Sequence, residues 1–158
     1  MEQNRLLVPY RKALVICFIG VLLTSCSIPR IIVLRDPLSP EEHINLGLSY
    51  EKGGEFDAAL KEYRRASKKL PMAHLYIGNI LFLKNNYDGA EKAYKRAIRK
   101  TDDPRAHNNL AWLYYISGIK LGEAEIHARR AVGLSPDNKD FSDTLLKIIA
   151  KRQSQEGS

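Results

Sequence analysis

Apolar and polar positions follow three regimes along this chain. Ala13 to Leu23 read ALVICFIGVLL, eleven residues without a charge, and Arg5, Arg11 and Lys12 precede them. Ser27 to Leu38 (SIPRIIVLRDPL) carry two prolines and no helical period. From Pro40 onward apolar residues recur every three or four positions, the spacing of helices that bury one face. Ser39, Pro40 and Glu42 form a capping-box signal at the entry to this region. Gly53-Gly54, Pro71, Pro104 and Ser135-Pro136-Asp137 punctuate it further. The pattern predicts an all-α domain with helices over 40–52, 56–69, 71–84, 87–100, 104–117, 121–134 and 138–152. The last places Phe141, Leu145, Ile148 and Ile149 on one face and keeps Lys147, Lys151 and Arg152 polar. That is the pattern of a helix closing a stack and turning a charged side to water. Residues 153–158 read as a frayed tail.

The helical region repeats itself. Asn45-Leu46-Gly47 with Tyr50 recurs as Tyr76-Ile77-Gly78 with Leu81, then as Asn109-Leu110-Ala111 with Tyr114. Downstream, Ala59, Tyr63 and Ala66 are echoed by Ala90, Tyr94 and Ala97, then by Ala124, Ala128 and Ala131, and proline follows at 71, 104 and 136. This pattern resembles the tetratricopeptide repeat, in which helical hairpins stack side by side. The resemblance implies a short right-handed solenoid of about three hairpins (40–70, 71–103, 104–136) with a capping helix over 137–152. Each position has a physical reason. The Gly or Ala lets the first helix of a hairpin, helix A, approach the second, helix B; the Ala in helix B accepts that approach; the Tyr fills space between helices. The spacing departs from 34 residues: Gly47 to Gly78 is 31 and Gly78 to Ala111 is 33, so the first junction, around Lys68 to Met72, must be tight. Ala111 to Ala124 is 13 residues against 12 in the other repeats, placing one extra residue in the third turn. Ala128 replaces the aromatic residue.

The N-terminal regime has its own chemistry. A basic start, an apolar run of eleven residues and small residues after it describe a secretory signal peptide over 1–25. The run is shorter than the roughly 20 residues of a spanning helix. Leu23-Thr24-Ser25-Cys26 resembles the lipobox of bacterial lipoproteins. That resemblance implies cleavage before Cys26 and acylation of Cys26, with 26–39 as lipidated residue and tether. It also implies a cell-envelope, membrane-anchored location, in the outer membrane facing the periplasm for a diderm host, because Ser27 rather than Asp follows the cysteine. One acyl chain anchors marginally, at about 0.8 kcal/mol per buried CH₂, so the multiple acylation of that family is what holds such a protein to a membrane. Of the two cysteines, Cys17 leaves with the leader and Cys26 carries lipid, so the folded domain keeps no thiol for a disulfide, zinc site or nucleophile. Cleavage removes three basic residues and Glu2, taking the net charge from +7 to +5.

Candidate chemistry in the domain is sparse. Gly53-Gly54-Glu55-Phe56 spells a string associated with diguanylate cyclases, but its register is a turn between helices. His43, His74 and His107 share one repeat position and read as partly buried packing residues that do not converge, and His127 has only Glu123 within a helical turn. Neither a metal site, a cofactor nor a catalytic constellation is expected, so the chain is not read as an enzyme. Arg64, Arg65, Lys68, Lys69, Lys95, Arg96, Arg99, Lys100, Arg129 and Arg130 form a basic series on the outer face of the B helices. It reads as a solvated convex surface, or as contact with an acidic partner or membrane.

In the family the A helices line a concave groove that holds peptide segments. Carried onto this sequence, that register places Ile44, Leu48 and Glu51, then Leu75, Asn79 and Phe82, then Asn108, Trp112 and Tyr115 on the groove. It is apolar and aromatic, with amides at Asn79 and Asn108 for a peptide backbone, and Trp and Tyr are common interface anchors. The lysines by which some members clamp a C-terminal carboxylate are absent from this face. Trp112 and Phe82 read either as anchors for a partner or as filler between repeats. The expected partners are other envelope proteins, with no nucleic acid and no small-molecule substrate. The alternative is a structural subunit of a permanent envelope complex, such as pilus or secretion machinery, using the basic convex face.

Overall fold

The computed structural model describes residues 36–156; the expected signal peptide, Cys26 and most of the tether lie outside the described residues. Within them the chain forms helices and turns, with no strand. The helices are α1 (Pro40–Lys52), α2 (Phe56–Ala66), α3 (Ala73–Leu83), α4 (Tyr87–Thr101), α5 (Pro104–Ser117), α6 (Leu121–Leu134) and α7 (Lys139–Glu156). They pack as three consecutive hairpins, α1 with α2, α3 with α4 and α5 with α6, and α7 closes the stack against α6 and α5. Among the described residues no helix is long and apolar enough to cross a membrane.

Local chemistry sets the ends of these elements. Ser39 Oγ accepts from the Glu42 N–H at 3.1 Å, and Glu42 accepts from the Ser39 N–H at 2.6 Å, so both halves of the capping box form. The junction between the first two hairpins departs from expectation. Instead of helices over 56–69 and 71–84, residues 67–72 fold as successive turns between Ala66 and Ala73. Lys69 N–H donates to Ala66 O at 3.1 Å, Ala73 N–H to Leu70 O at 3.0 Å and His74 N–H to Pro71 O at 3.1 Å. These tight bonds compress the linker, and Pro71, which lacks an N–H, prevents α2 from running on. At the other end α7 continues through Glu156, four residues past the expected boundary, so 153–156 are helical rather than frayed. Straight-chain Gln153, Gln155 and Glu156 favour helix, and Ser154 Oγ donates to Lys151 O at 2.7 Å. Each hairpin turn holds a left-handed residue: Gly54 (φ 76°), Asn85 (φ 56°) and Gly118 (φ 66°). The third turn spans three residues between helix ends (118–120), as the others do, and the extra residue shows as one more position, Lys120 (φ 52°), between the left-handed Gly118 and α6.

Packing within each hairpin depends on one close approach. A Cβ placed on Gly47 would lie 2.4 Å from Tyr63 Cε1, and one on Gly78 would lie 2.4 Å from Tyr94 Cε1. Both tyrosines are almost fully buried. The third hairpin exchanges volume across the same contact. Ala111 stands where the glycines stood, Ala128 where the tyrosines stood, and both are fully buried. Leu110, Leu113 and Tyr114 supply bulk to the same cluster.

The buried rings are also fastened at their hydroxyls. Tyr63 donates to Glu51 at 2.6 Å, Tyr94 to Asn79 at 3.1 Å and Tyr114 to Glu91 at 2.8 Å. Burial pushes all three phenols well above their usual range, so each remains a donor. Glu91 is the hub of the second interface, accepting from Lys95 at 2.8 Å and Lys120 at 2.9 Å as well as from Tyr114. Burial raises its pKa, but these donors outweigh burial and hold it at about 2, against 4.5 for a free carboxyl.

Two expectations follow. Gly78→Ala should destabilise the domain by about 1–3 kcal/mol through overpacking, and Tyr94→Ala by about 3–5 kcal/mol. The double variant, which copies the Ala111–Ala128 pair, should cost less than the two single changes together. Urea denaturation checks this, and additivity within about 0.5 kcal/mol would contradict the volume exchange. For Glu91, the folded pKa lies below the unfolded one, so its stabilisation is present above pH 4.5 and fades as pH falls toward 2. Melting temperatures of Glu91→Gln should therefore lie below wild type at neutral pH and converge on it through this window.

Candidate partner groove

Helix A of each hairpin contributes the same register positions to the inner face. Leu48, Asn79 and Trp112 occupy one, and Glu51, Phe82 and Tyr115 the next, one turn along. Leu48 is exposed and the other five are half-buried, the state of a lined groove. The third register, Ile44, Leu75 and Asn108, does not line it. Ile44 is 7% and Leu75 2% exposed, and both belong to the core. Leu75 packs in a cluster with Ala106 and Leu110 of the following hairpin, so contact between repeats consumes it. Asn108 Oδ1 is buried and has no hydrogen-bond partner among the described residues, so it is not the accessible acceptor expected.

Between α3 and α5 the groove deepens into a hollow of about 210 Å³ lined by Asn79, Phe82, Leu83, Tyr94, Asn109 and Trp112. Its walls are mostly carbon. Phe82 leans on Tyr87 with ring centroids 5.7 Å apart, and Trp112 stacks on Tyr115 at 5.0 Å and 27°. Asn79 plays a different part from the one expected. Its Oδ1 accepts from Tyr94 Oη and, at 2.9 Å, from Asn109 Nδ2, so its carbonyl serves the fold. Its amide N–H groups carry no bond among the described residues.

Three expected residues thus meet at the hollow (Asn79, Phe82 and Trp112), Tyr115 supports Trp112, and Leu48 lies in the first repeat away from it. Sequence reasoning passed over Leu83 and Asn109. Asn109 stands three residues before Trp112 on the same helix, a spacing that puts both on one face.

The far end of the groove carries positive charge. Lys147 Nζ sits 5.5 Å over the Trp112 ring; Lys151 Nζ sits 4.7 Å over Tyr115 and donates to Tyr115 O at 2.7 Å. These lysines were expected to face water only. The aromatic faces attract them, and the Tyr115 carbonyl near the end of α5 offers an acceptor. At the opposite end stands the carboxylate of Glu51, bonded to Tyr63.

The histidines lie outside this groove. His43 is buried between two carboxylates, with Nδ1 2.7 Å from Glu62 and Nε2 3.2 Å from Asp36. His107 Nε2 is 2.8 Å from Asp102, and its Nδ1 is 2.9 Å from His127 Nδ1. His127 therefore has a neighbour beyond Glu123, one that sequence distance concealed. Burial, then the charge on His107, lowers the His127 pKa. No group of three or more His, Cys, Asp or Glu among the described residues is placed to hold a metal ion.

Comparison with known proteins places this architecture. A family model described as tetratricopeptide repeat matches residues 44–104 and 84–139, more than half of the chain. No curated protein matches. Among solved structures, the first TPR domain of human RPAP3 has a TM-score of 0.69 at 22% identity, covering 78% of this chain and 99% of that one. The first TPR of Spaghetti (RPAP3) bound to the HSP90 peptide SRMEEVD has a TM-score of 0.65 at 20% identity, covering 75% and 96%. The UNC-45 chaperone has a TM-score of 0.65 at 18% identity, covering 75% of this chain and 14% of that one. With three Gly/Ala-pinned hairpins, a closing helix and a family match across the repeats, this chain belongs to the tetratricopeptide repeat family.

Proposed function

We propose that the protein is a membrane-anchored interaction module of the bacterial cell envelope that holds an extended segment of another envelope protein in its concave groove. The observation that carries this reading is the hollow between α3 and α5, where Phe82, Leu83 and Trp112 surround the amides of Asn79 and Asn109. Apolar walls offer burial to partner side chains, and amide groups answer a peptide backbone. Leu83 is 51% exposed at the rim, so a partner covering it removes apolar surface from water. A TPR domain of similar fold binds the HSP90 peptide SRMEEVD, which supports a peptide segment as the class of partner. Glu51 at one end and Lys147 at the other give the groove an electrical direction, which would orient the bound segment.

The anchor rests on the sequence: the apolar run Ala13 to Leu23 and the Leu23-Thr24-Ser25-Cys26 string. Acylation at Cys26 would hold the domain at a membrane surface. The alternative, a structural subunit that engages through its convex face, has weaker support. Lys95, Arg129 and Arg130 on that face already have carboxylate partners in Glu91, Glu125 and Asp102.

Phe82→Ala and Trp112→Ala should each weaken partner capture about 30-fold, the effect of a central aromatic anchor, while far-UV circular dichroism stays unchanged. Cross-linked pull-downs of the intact protein from its own envelope measure this, and undiminished capture by both variants would defeat the groove. In the same preparations Cys26→Ser should leave the membrane fraction; retention there would defeat the lipid anchor.

A further inference from the structure

The three helix-A histidines share a register, but the helix-B residue opposite each one differs. In the first hairpin it is Glu62, 2.7 Å from His43, and in the third it is His127, 2.9 Å from His107. In the second hairpin the position 19 residues after His74, equivalent to Glu62, is Ala93. A slot that a side chain fills in the outer hairpins is therefore open in the middle one. It forms a hollow of about 210 Å³ between α2, α3 and α4, lined in part by Arg64, Ser67, His74, Lys92 and Arg96. No carboxylate lines it.

The pairing of arginines singles out the same place. Eight arginines lie among the described residues. Arg65, Arg105, Arg129, Arg130 and Arg152 each have a carboxylate partner. The three without an ion pair among the described residues are Arg64, Arg96 and Arg99. Two line this slot, and the third is close enough to act on His74. Burial first, then the nearby cations Arg96, Lys100 and Arg99, lower the His74 pKa. Elsewhere the fold uses a carboxylate to balance its guanidinium groups; here it supplies none.

We propose that the open slot in the middle hairpin binds a phosphate-type oxyanion, free or carried as an ester, between Arg64 and Arg96 with Lys92 and His74 beside them. Guanidinium groups match oxyanions through paired N–H donors, and Lys92 adds a point charge. The volume lies below the roughly 300–1,000 Å³ of sites for larger organic ligands, which suits a small anionic group. This site shares no lining residue with the hollow of the partner groove and does not depend on the reading given to it.

The test is a titration of the full chain in uncharged detergent, following the His74 ring protons by NMR with inorganic phosphate, then glycerol phosphate, against sodium chloride at equal ionic strength. Bound phosphate favours the protonated ring, so the His74 midpoint should rise with phosphate and not with chloride. Arg96→Gln should weaken binding roughly tenfold or more. Ala93→Glu, which installs the side chain that the first hairpin already accommodates, should abolish it, and Phe82→Ala should leave it intact. Phosphatidylglycerol vesicles displaced by inorganic phosphate would assign the anion to a lipid headgroup; phosphate binding without vesicle binding would assign it to a soluble anion. The proposal is overturned if chloride moves His74 equally, if both slot variants bind phosphate as wild type does, or if vesicles bind and phosphate does not compete.

Discussion

The fold turns on how closely helix A can approach helix B within each hairpin. At Gly47 and Gly78 there is no room for a Cβ, because the Tyr63 and Tyr94 rings occupy that space. At Ala111 the ring is gone, Ala128 takes its place, and a methyl group fits. The two positions behave as one volume divided in two ways. Interiors packed near crystal density respond to a single methylene, so this division fixes the hairpin geometry before any surface residue matters. It also reaches the inner face. The same rings that need the glycines extend their hydroxyls to Glu51 and Asn79, so the close approach holds two groove residues in place.

Polar interactions then tie the repeats to one another. Glu91 of α4 gathers Tyr114 from α5 and Lys120 from the turn before α6. The extra position between Gly118 and α6 is thereby put to use: Lys120, held in a left-handed conformation that costs a non-glycine residue about 1–2 kcal/mol, reaches back one repeat. On the other side Lys147 and Lys151 of α7 lie over Trp112 and Tyr115, so the capping helix finishes the groove as well as the core. The histidine slots follow the same economy of position, filled by Glu62 and His127 in the outer hairpins and open at Ala93 in the middle one.

Much of the fold was legible from residue order. The Gly47, Gly78 and Ala111 series fixed the hairpin register, and the capping box at Ser39 marked the first helix start. Boundaries near Pro71 were less legible, because a proline can open a helix or sit in the turn before it, and the compressed junction decides. The groove was legible in part. Trp112, Phe82 and Asn79 could be placed from their repeat positions, but Leu75 could not be separated from them. Its burial comes from Ala106 and Leu110 of the next repeat, a contact that helical phase within one repeat does not report. Asn79 was legible as a groove residue and illegible as an acceptor already engaged by Tyr94 and Asn109. The pairing of His107 with His127 also escaped, since the two are 20 residues apart on facing helices.

The proposed partner surface combines aromatic walls, Phe82 against Tyr87 and Trp112 against Tyr115, with amide groups at its centre and opposite charges at its ends. The most direct test is site-specific photo-crosslinking in living cells, with the photoreactive residue placed at Leu83 on the hollow rim or at Lys61 on an exposed face of α2. One discrete adduct from Leu83, absent from Lys61 and lost when Phe82→Ala is added, is the predicted result. An adduct formed from Lys61 and not from Leu83 would contradict the groove as the binding surface.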